Sequence, residues 1–168
     1  NISKSLSIKD SINDKNGYSN GLINIASTYI YMGELDKASE YIKSALDCVK
    51  KIKKVRSEYL INIELGKIAI LTDRYDDAIS YLLKSGDYFL NTKEYKYYHE
   101  SISLLSECYK LSYNFKDLEK LVSSINITEP SIVKFIELEN KYIEISKTKR
   151  IPVTINKLLN DDDNYSEE

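Results

Sequence analysis

The chain is short of the residues that break regular structure: five of its 168 residues are glycine and two are proline. A β-sandwich or barrel needs turn chemistry between many short strands, so this scarcity excludes an all-β architecture. Histidine occurs once, as His99, and neither a zinc site nor a histidine-based triad can be assembled around that single imidazole without a CxxC pair. Cys48 and Cys108 stand alone, with no neighbouring histidine. Both are read as small buried apolar residues, since a disulfide would need their Cα atoms within about 7 Å. A glycine-rich phosphate loop, a GxSxG elbow and an HExxH helix are all missing, which leaves no recognisable catalytic frame. Excess charge of one sign is missing too. Basic residues number 24 and acidic ones 26, for a formal charge of −2, so there is no general attraction to nucleic acid or an anionic membrane. No apolar run approaches the roughly 20 residues that span a bilayer. The opening Asn1-Ile2-Ser3-Lys4-Ser5 is not a signal peptide.

What is present is a folded composition, 42% apolar and 30% charged, without the low hydrophobicity of a disordered chain. An all-helical fold is expected. Lysine far outnumbers arginine (Arg56, Arg74 and Arg150 only), and tyrosine is abundant at 15 residues. That bias speaks of an AT-rich coding sequence rather than of mechanism.

Internal similarity is the informative feature. Ile25, Ala26, Tyr29, Gly33, Leu35, Ala38, Ile42 and Ala45 form a series that recurs forty residues later as Leu65, Gly66, Ala69, Asp73, Tyr75, Ala78, Leu82 and Ser85. Forty further on stand Leu105, Ser106, Tyr109, Tyr113, Phe115, Leu118, Val122 and Ile125. Leu22, Ile25, Ala26 and Tyr29 lie at i, i+3, i+4 and i+7, the stripe of an amphipathic helix. Gly33 suits a left-handed helix stop, and Leu35, Ala38, Ile42, Ala45 and Leu46 begin a second stripe. Small residues at Ala26, Gly66 and Ser106, and at Ala38 and Ala78, mark close helix crossings, while Leu118 fills that place in the third copy. A hairpin with apolar residues on more than one face cannot bury them alone, so neighbours must stack.

The order of these residues resembles the tetratricopeptide repeat, most clearly in Gly33-Glu34-Leu35-Asp36-Lys37-Ala38. The resemblance implies an all-α, right-handed solenoid of helical hairpins, a superhelix. No tryptophan opens a copy, the closing proline is missing, and the period is 40 rather than about 34. The extra residues are expected around Cys48–Glu58, in a longer second helix and loop. HEAT and armadillo repeats, with periods of about 40–47, are the architectural alternative. Residues 1–126 are expected to hold the repeats, as a truncated opening copy followed by hairpins at 17–52, 55–90 and 95–126. Residues 127–159 read as a degenerate repeat or cap and 160–168 as an acidic tail.

Ile2, Ser5 and Leu6 precede Ile42, Ala45 and Leu46 by forty residues. The chain is therefore expected to open inside a second helix of a longer protein, exposing an apolar end able to self-associate. Near the other end the period shortens to 33, pairing Ile102, Leu105 and Tyr109 with Phe135, Leu138 and Tyr142. Pro130 fits the first turn of that helix. Ile151, Ile155, Leu158 and Leu159 form a short final stripe before Asp161-Asp162-Asp163.

Several motifs carry a bland reading beside a chemical one. Asp76-Asp77 suits a helix start. Lys50, Lys51, Lys53, Lys54 and Arg56 read as a solvated helix end, with phosphate contact as the alternative. Tyr97 or Tyr98 is a candidate exposed anchor. In tetratricopeptide arrays the first helices line a groove for a peptide or a partner's helix. Position by position, the resemblance places Asn20, Ile23, Asn24, Ser27, Ile30 and Tyr31 there. The second copy adds Leu60, Ile63, Glu64, Lys67, Ile70 and Leu71, and the third Glu100, Ser103, Glu107, Lys110 and Leu111. Chaperone-binding members carry a lysine before the groove asparagine. Ile23, Ile63 and Ser103 stand in its place here, against a carboxylate clamp and in favour of an internal peptide segment or a helix.

The expected function is a protein- or peptide-binding scaffold, not an enzyme, with another protein or a peptide as partner and no small-molecule cofactor or metal. An alternative resembles the peptide-pheromone regulators: a peptide-sensing repeat domain of a bacterial transcription or phosphatase regulator. A third is an enzyme or nucleic-acid binder in the degenerate C-terminal part. Nucleic-acid binding is not expected of the repeats. The compartment expected is cytoplasmic, or extracytoplasmic if a signal or anchor lies upstream.

Overall fold

A computed structural model describes residues 15–149. The expectations placed on Ile2, Ser5 and Leu6, on the stripe from Ile151 to Leu159 and on the acidic tail lie outside the described residues. Within them the chain forms seven helices: α1 (Lys15–Tyr31), α2 (Leu35–Ile52), α3 (Val55–Leu71), α4 (Tyr75–Asn91), α5 (Tyr95–Leu111), α6 (Phe115–Ser124) and α7 (Pro130–Lys149). No strand occurs among the described residues. The fold class is therefore all-α, consecutive helices packing on their neighbours as in a helical-hairpin solenoid.

The helices start every 20 residues, at Leu35, Val55, Tyr75, Tyr95 and Phe115, because one backbone device stops each of the first five. Gly33, Lys53, Asp73, Lys93 and Tyr113 all have left-handed φ, from 52° to 75°. The amide of each donates to the carbonyl three residues back, and the next amide donates five back: Glu34 to Tyr29, Lys54 to Val49, Arg74 to Ala69, Glu94 to Phe89 and Asn114 to Tyr109, at 2.8–3.2 Å. This is a Schellman stop, which satisfies carbonyls the helix end leaves open. Only the first of the five is a glycine, although a left-handed conformation costs other residues roughly 1–2 kcal/mol. The junction at Lys53-Lys54 is as short as the others. The extra residues thus lengthen the helices α1 to α5 rather than a loop between α2 and α3.

The described residues divide into two compact units, with the boundary inside α5 between Cys108 and Tyr109. In the first unit α1 packs on α2, α2 on α3, α3 on α4, and α1 also on α3. Second helices bury a single stripe, Ala38, Ile42, Ala45 and Val49 on α2. The first helix α3 buries residues on several sides, among them Ile61, Ile63, Gly66, Ile68, Ala69 and Ile70, since α1, α2 and α4 all pack on it. Ala26, Ala38 and Ala78 are fully buried, consistent with close crossings at those positions. Tyr29 stacks on Tyr41 at 5.4 Å, and Tyr59 on Tyr88 at 4.1 Å. Between α4 and α5, Phe89 meets Tyr97 at 5.0 Å and the Cys108 thiol donates to the Tyr75 carbonyl at 3.4 Å.

In the second unit α6 packs on α7, and Leu118, Val122, Ile132, Phe135 and Ile143 are buried. Pro130 is the first residue of α7, and the Glu129 carboxylate caps that end by accepting from the amides of Ser131 and Ile132 at 3.0 and 3.2 Å. The expected register of α7 needs correction. Leu138 is 58% exposed and Tyr142 39%, so they are not counterparts of Leu105 and Tyr109. The buried set Ile132, Phe135 and Glu139 repeats Ile102, Leu105 and Tyr109 at a spacing of 30, not 33. A buried charge at Glu139 hid that register from a pattern of apolar residues.

Two helical glycines, Gly66 on α3 and Gly86 on α4, make opposite expectations. A Cβ on Gly66 would lie 2.8 Å from Cγ and Cδ2 of the fully buried Leu82, whereas a Cβ on Gly86 would meet only Ser101 Cβ, at 3.8 Å. Gly66→Ala should lower the denaturant midpoint by the equivalent of about 1–3 kcal/mol through overpacking. Gly86→Ala should leave it unchanged or raise it by up to about 1 kcal/mol from helix propensity. Leu82→Val should recover part of the Gly66→Ala loss. Equal effects of the two glycine substitutions would contradict this packing.

Candidate functional site

Packing buries much of the first helices, and the residues left accessible form the candidate face. On α1 it is the stripe Asn20, Asn24, Ser27 and Tyr31, at i, i+4, i+7 and i+11. Asn20 and Asn24 are exposed, Ser27 is half-buried, and the Tyr31 ring is 93% exposed. Forty residues on, in the same register of α3, stand half-buried Leu60, buried Glu64, half-buried Lys67 and exposed Leu71. The first part of α5 brings Glu100 and Ser103, both half-buried, and exposed Glu107.

Four isoleucines named from the repeat pattern do not face outward. Ile23, Ile30, Ile63 and Ile70 are all buried, because the face of a first helix turned toward its neighbours is wider than the pattern suggests. They form core beneath the polar stripe. Lys110 lies in the second unit, where its ammonium is 2.8 Å from Oε1 of Glu139 and 4.5 Å from the centre of the Tyr142 ring.

Electrostatics concentrate where α1, α3 and α5 approach. The Lys67 ammonium donates to Glu64 Oε1 at 3.0 Å and lies 2.7 Å from Glu100 Oε1, tying two successive first helices together. Glu64 is only 7% exposed, and its Oε2 has no hydrogen-bond partner. Burial pushes the Glu64 carboxyl above the usual carboxylate range; Lys67 opposes the shift, the Glu100 charge adds to it, and Ser27 on α1 opposes it. Burial works against the Lys67 ammonium, yet Glu64 and Glu100 outweigh it and hold its pKa above the ordinary value. The two shifts differ in origin: burial raises the Glu64 carboxyl, whereas the two neighbouring carboxylates raise the Lys67 ammonium.

The other singled-out residues have structural settings. Tyr98 is buried and Tyr97 packs on Phe89 under the Arg56 guanidinium, 5.1 Å from its ring, so neither is a free anchor. Arg56 pairs with Glu94 at 2.6 Å, which leaves Lys50, Lys51 and Lys53 as an exposed helix end. Asp77 pairs with Arg74 at 3.3 Å at the start of α4. Cys48 and Cys108 are unbridged, and burial pushes the Cys108 thiol up to about 11, which disfavours a reactive thiolate. Among the described residues no group of three or more potential metal ligands converges, and no helix is long and apolar enough to cross a membrane. Repeat logic missed one cavity of about 400 Å³, lined by Tyr59, Lys84, Asp87, Tyr88, Asn91 and Thr92 on α3 and α4. Its only sequence signal was the abundance of tyrosine.

The Glu64 cluster generates a stability expectation. A carboxyl whose folded pKa exceeds its unfolded value binds its proton more tightly in the folded chain, so its contribution falls as pH rises through that window. Glu64→Gln should therefore raise the unfolding midpoint at pH 7, and its advantage should shrink below the unfolded value of 4.5. Lys67→Met, which strands the buried carboxylate, should cost about 1–3 kcal/mol in the wild type and less in the Glu64→Gln background. Urea titrations of the single and double variants at both pH values measure this, and a destabilising Glu64→Gln at neutral pH would refute it.

A family model described as tetratricopeptide repeat matches residues 20–47, which run from α1 through the turn at Gly33 into α2. No curated protein matches the chain. That repeat supports a protein–protein interaction scaffold in general terms. The matched hairpin and the seven consecutive helices fit a tetratricopeptide-type repeat.

Proposed function

We propose that the chain binds an extended segment of a partner polypeptide along the face begun by Asn20, Asn24, Ser27 and Tyr31 on α1 and continued by Lys67 and Leu71 on α3. Ser103 and Glu107 on α5 extend the same face. The observation that carries this reading is the α1 stripe itself: two exposed amides one turn apart, in line with a large ring 93% exposed. An amide side chain both donates and accepts, so a row of them can pair with the backbone of an extended peptide irrespective of its sequence. An aromatic ring standing in water is the residue type that anchors interfaces once covered. Buried Ile23, Ile63 and Ile70 hold the stripe rigid from below rather than touching the guest, which lowers the ordering cost of binding.

A displayed library of random peptides, selected on the purified protein, tests the proposal. Peptides should be enriched, and Asn24→Ala and Tyr31→Ala should each weaken a selected peptide by about tenfold or more. Lys43→Ala, at an exposed position on α2, should change binding by less than about twofold. Failure to select any peptide, or full binding by both face variants, would overturn the reading.

A further inference from the structure

The charge count of the Glu64–Lys67–Glu100 cluster does not close. One ammonium stands within hydrogen-bonding reach of two carboxylates, leaving a formal negative charge in a partly dehydrated recess. An ion pair that merely locked two helices would be neutral, with its buried oxygens satisfied, because unpaired buried acceptors and charges are costly. Here Glu64 Oε2 is buried without a hydrogen-bond partner, the Ser27 hydroxyl of α1 being a neutral donor to the same carboxylate, while the side chain that carries it is 9% exposed. Among the described residues, the neighbours acting on Glu64 do not supply the missing positive charge. Ser27, the group of α1 beside Glu64, is neutral, as are Asn20 and Asn24, and Glu107 further along α5 adds another negative charge. Glu100 is the accessible member, its side chain 35% exposed against 22% for Lys67.

We infer that the partner segment carries a lysine or arginine side chain whose charged group is received by the Glu64–Glu100 pair. This rests on the peptide-binding reading above and gives it a chemical preference. A second cation entering beside Glu100 would make the cluster neutral, two carboxylates with two cations, and bring N–H donors to the side of the recess where Glu64 lacks one. The position in the face follows from the register. Asn24 on α1 and Glu64 on α3 occupy equivalent places forty residues apart. The basic side chain of the guest would therefore project where its backbone passes from the amides of α1 onto α3. A carboxylate of the guest is disfavoured at the same place, since it would bring a third negative charge to the cluster.

The displayed peptide library separates this inference from the reading it rests on. On the wild-type protein the selected sequences should share lysine or arginine at one fixed position. Replacing that residue by norleucine or citrulline in a synthetic peptide should weaken binding to the wild type by about tenfold or more. The same replacement should cost less than about threefold against Glu100→Gln and against Glu64→Gln. Circular dichroism melts confirm that each variant is folded, and Glu100→Gln, at the more exposed position, keeps the test intact if Glu64→Gln is altered in structure. Selected peptides with no cation at a fixed position, or an equal loss in all three proteins, would overturn the inference while leaving peptide binding in place. Selection of no peptide at all would remove both.

Discussion

The repeated helix stop is the constraint on which the rest of the molecule depends. Two backbone hydrogen bonds close the ends of α1 to α5 in the same way, so the helices begin at intervals of 20 residues. Equal helices joined by equal turns place residue i and residue i+40 in equivalent surroundings. That is why Ala26 and Gly66 both sit at tight crossings, and why the Asn24, Ser27 and Tyr31 stripe continues as Glu64, Lys67 and Leu71. A single residue inserted within one helix would rotate the remainder of that helix by about 100° and break the face.

Much of this architecture was legible. The helix class, the hairpin order and the small residues at crossings follow from a 40-residue recurrence that chance does not produce. The finer 20-residue period was hidden, because four of the five left-handed positions are Lys53, Asp73, Lys93 and Tyr113, none of which announces a stop as Gly33 does. The backbone geometry there is imposed by the packed helices on either side, a tertiary effect with no local signature. Burial was overestimated for Leu138 and Tyr142 and underestimated for Glu139, since apolar periodicity cannot register a charge that is buried with its lysine. The candidate face was legible in part. Asn20, Asn24, Ser27 and Tyr31 lie on an accessible stripe, but Ile23, Ile63 and Ile70 share their helices' apolar sides and turn inward. The joining of Glu64, Lys67 and Glu100 into one cluster depends on how α3 and α5 approach, which spacing along the chain does not reveal.

Stability and recognition pull in opposite directions at Glu64. A dehydrated carboxylate that shares its only cation with a second acid costs the fold something at neutral pH. Glutamine at the same place would keep the shape without the charge. Local costs of this kind concentrate at functional positions, where a group is held ready for an interaction that the isolated chain does not complete. The same reasoning separates the Glu64 cluster from Arg56–Glu94, a one-to-one pair beside Tyr97 that carries no surplus charge.

Titration of the isotope-labelled protein with a library-selected peptide, followed through backbone amide chemical shifts, tests the central claim most directly. The account predicts that the largest changes fall on Asn24, Ser27, Tyr31, Glu64 and Lys67, while Lys43 on α2 and Ser80 on α4 stay in place. Changes centred instead on Tyr59, Lys84 and Tyr88, with the α1 stripe unmoved, would contradict it.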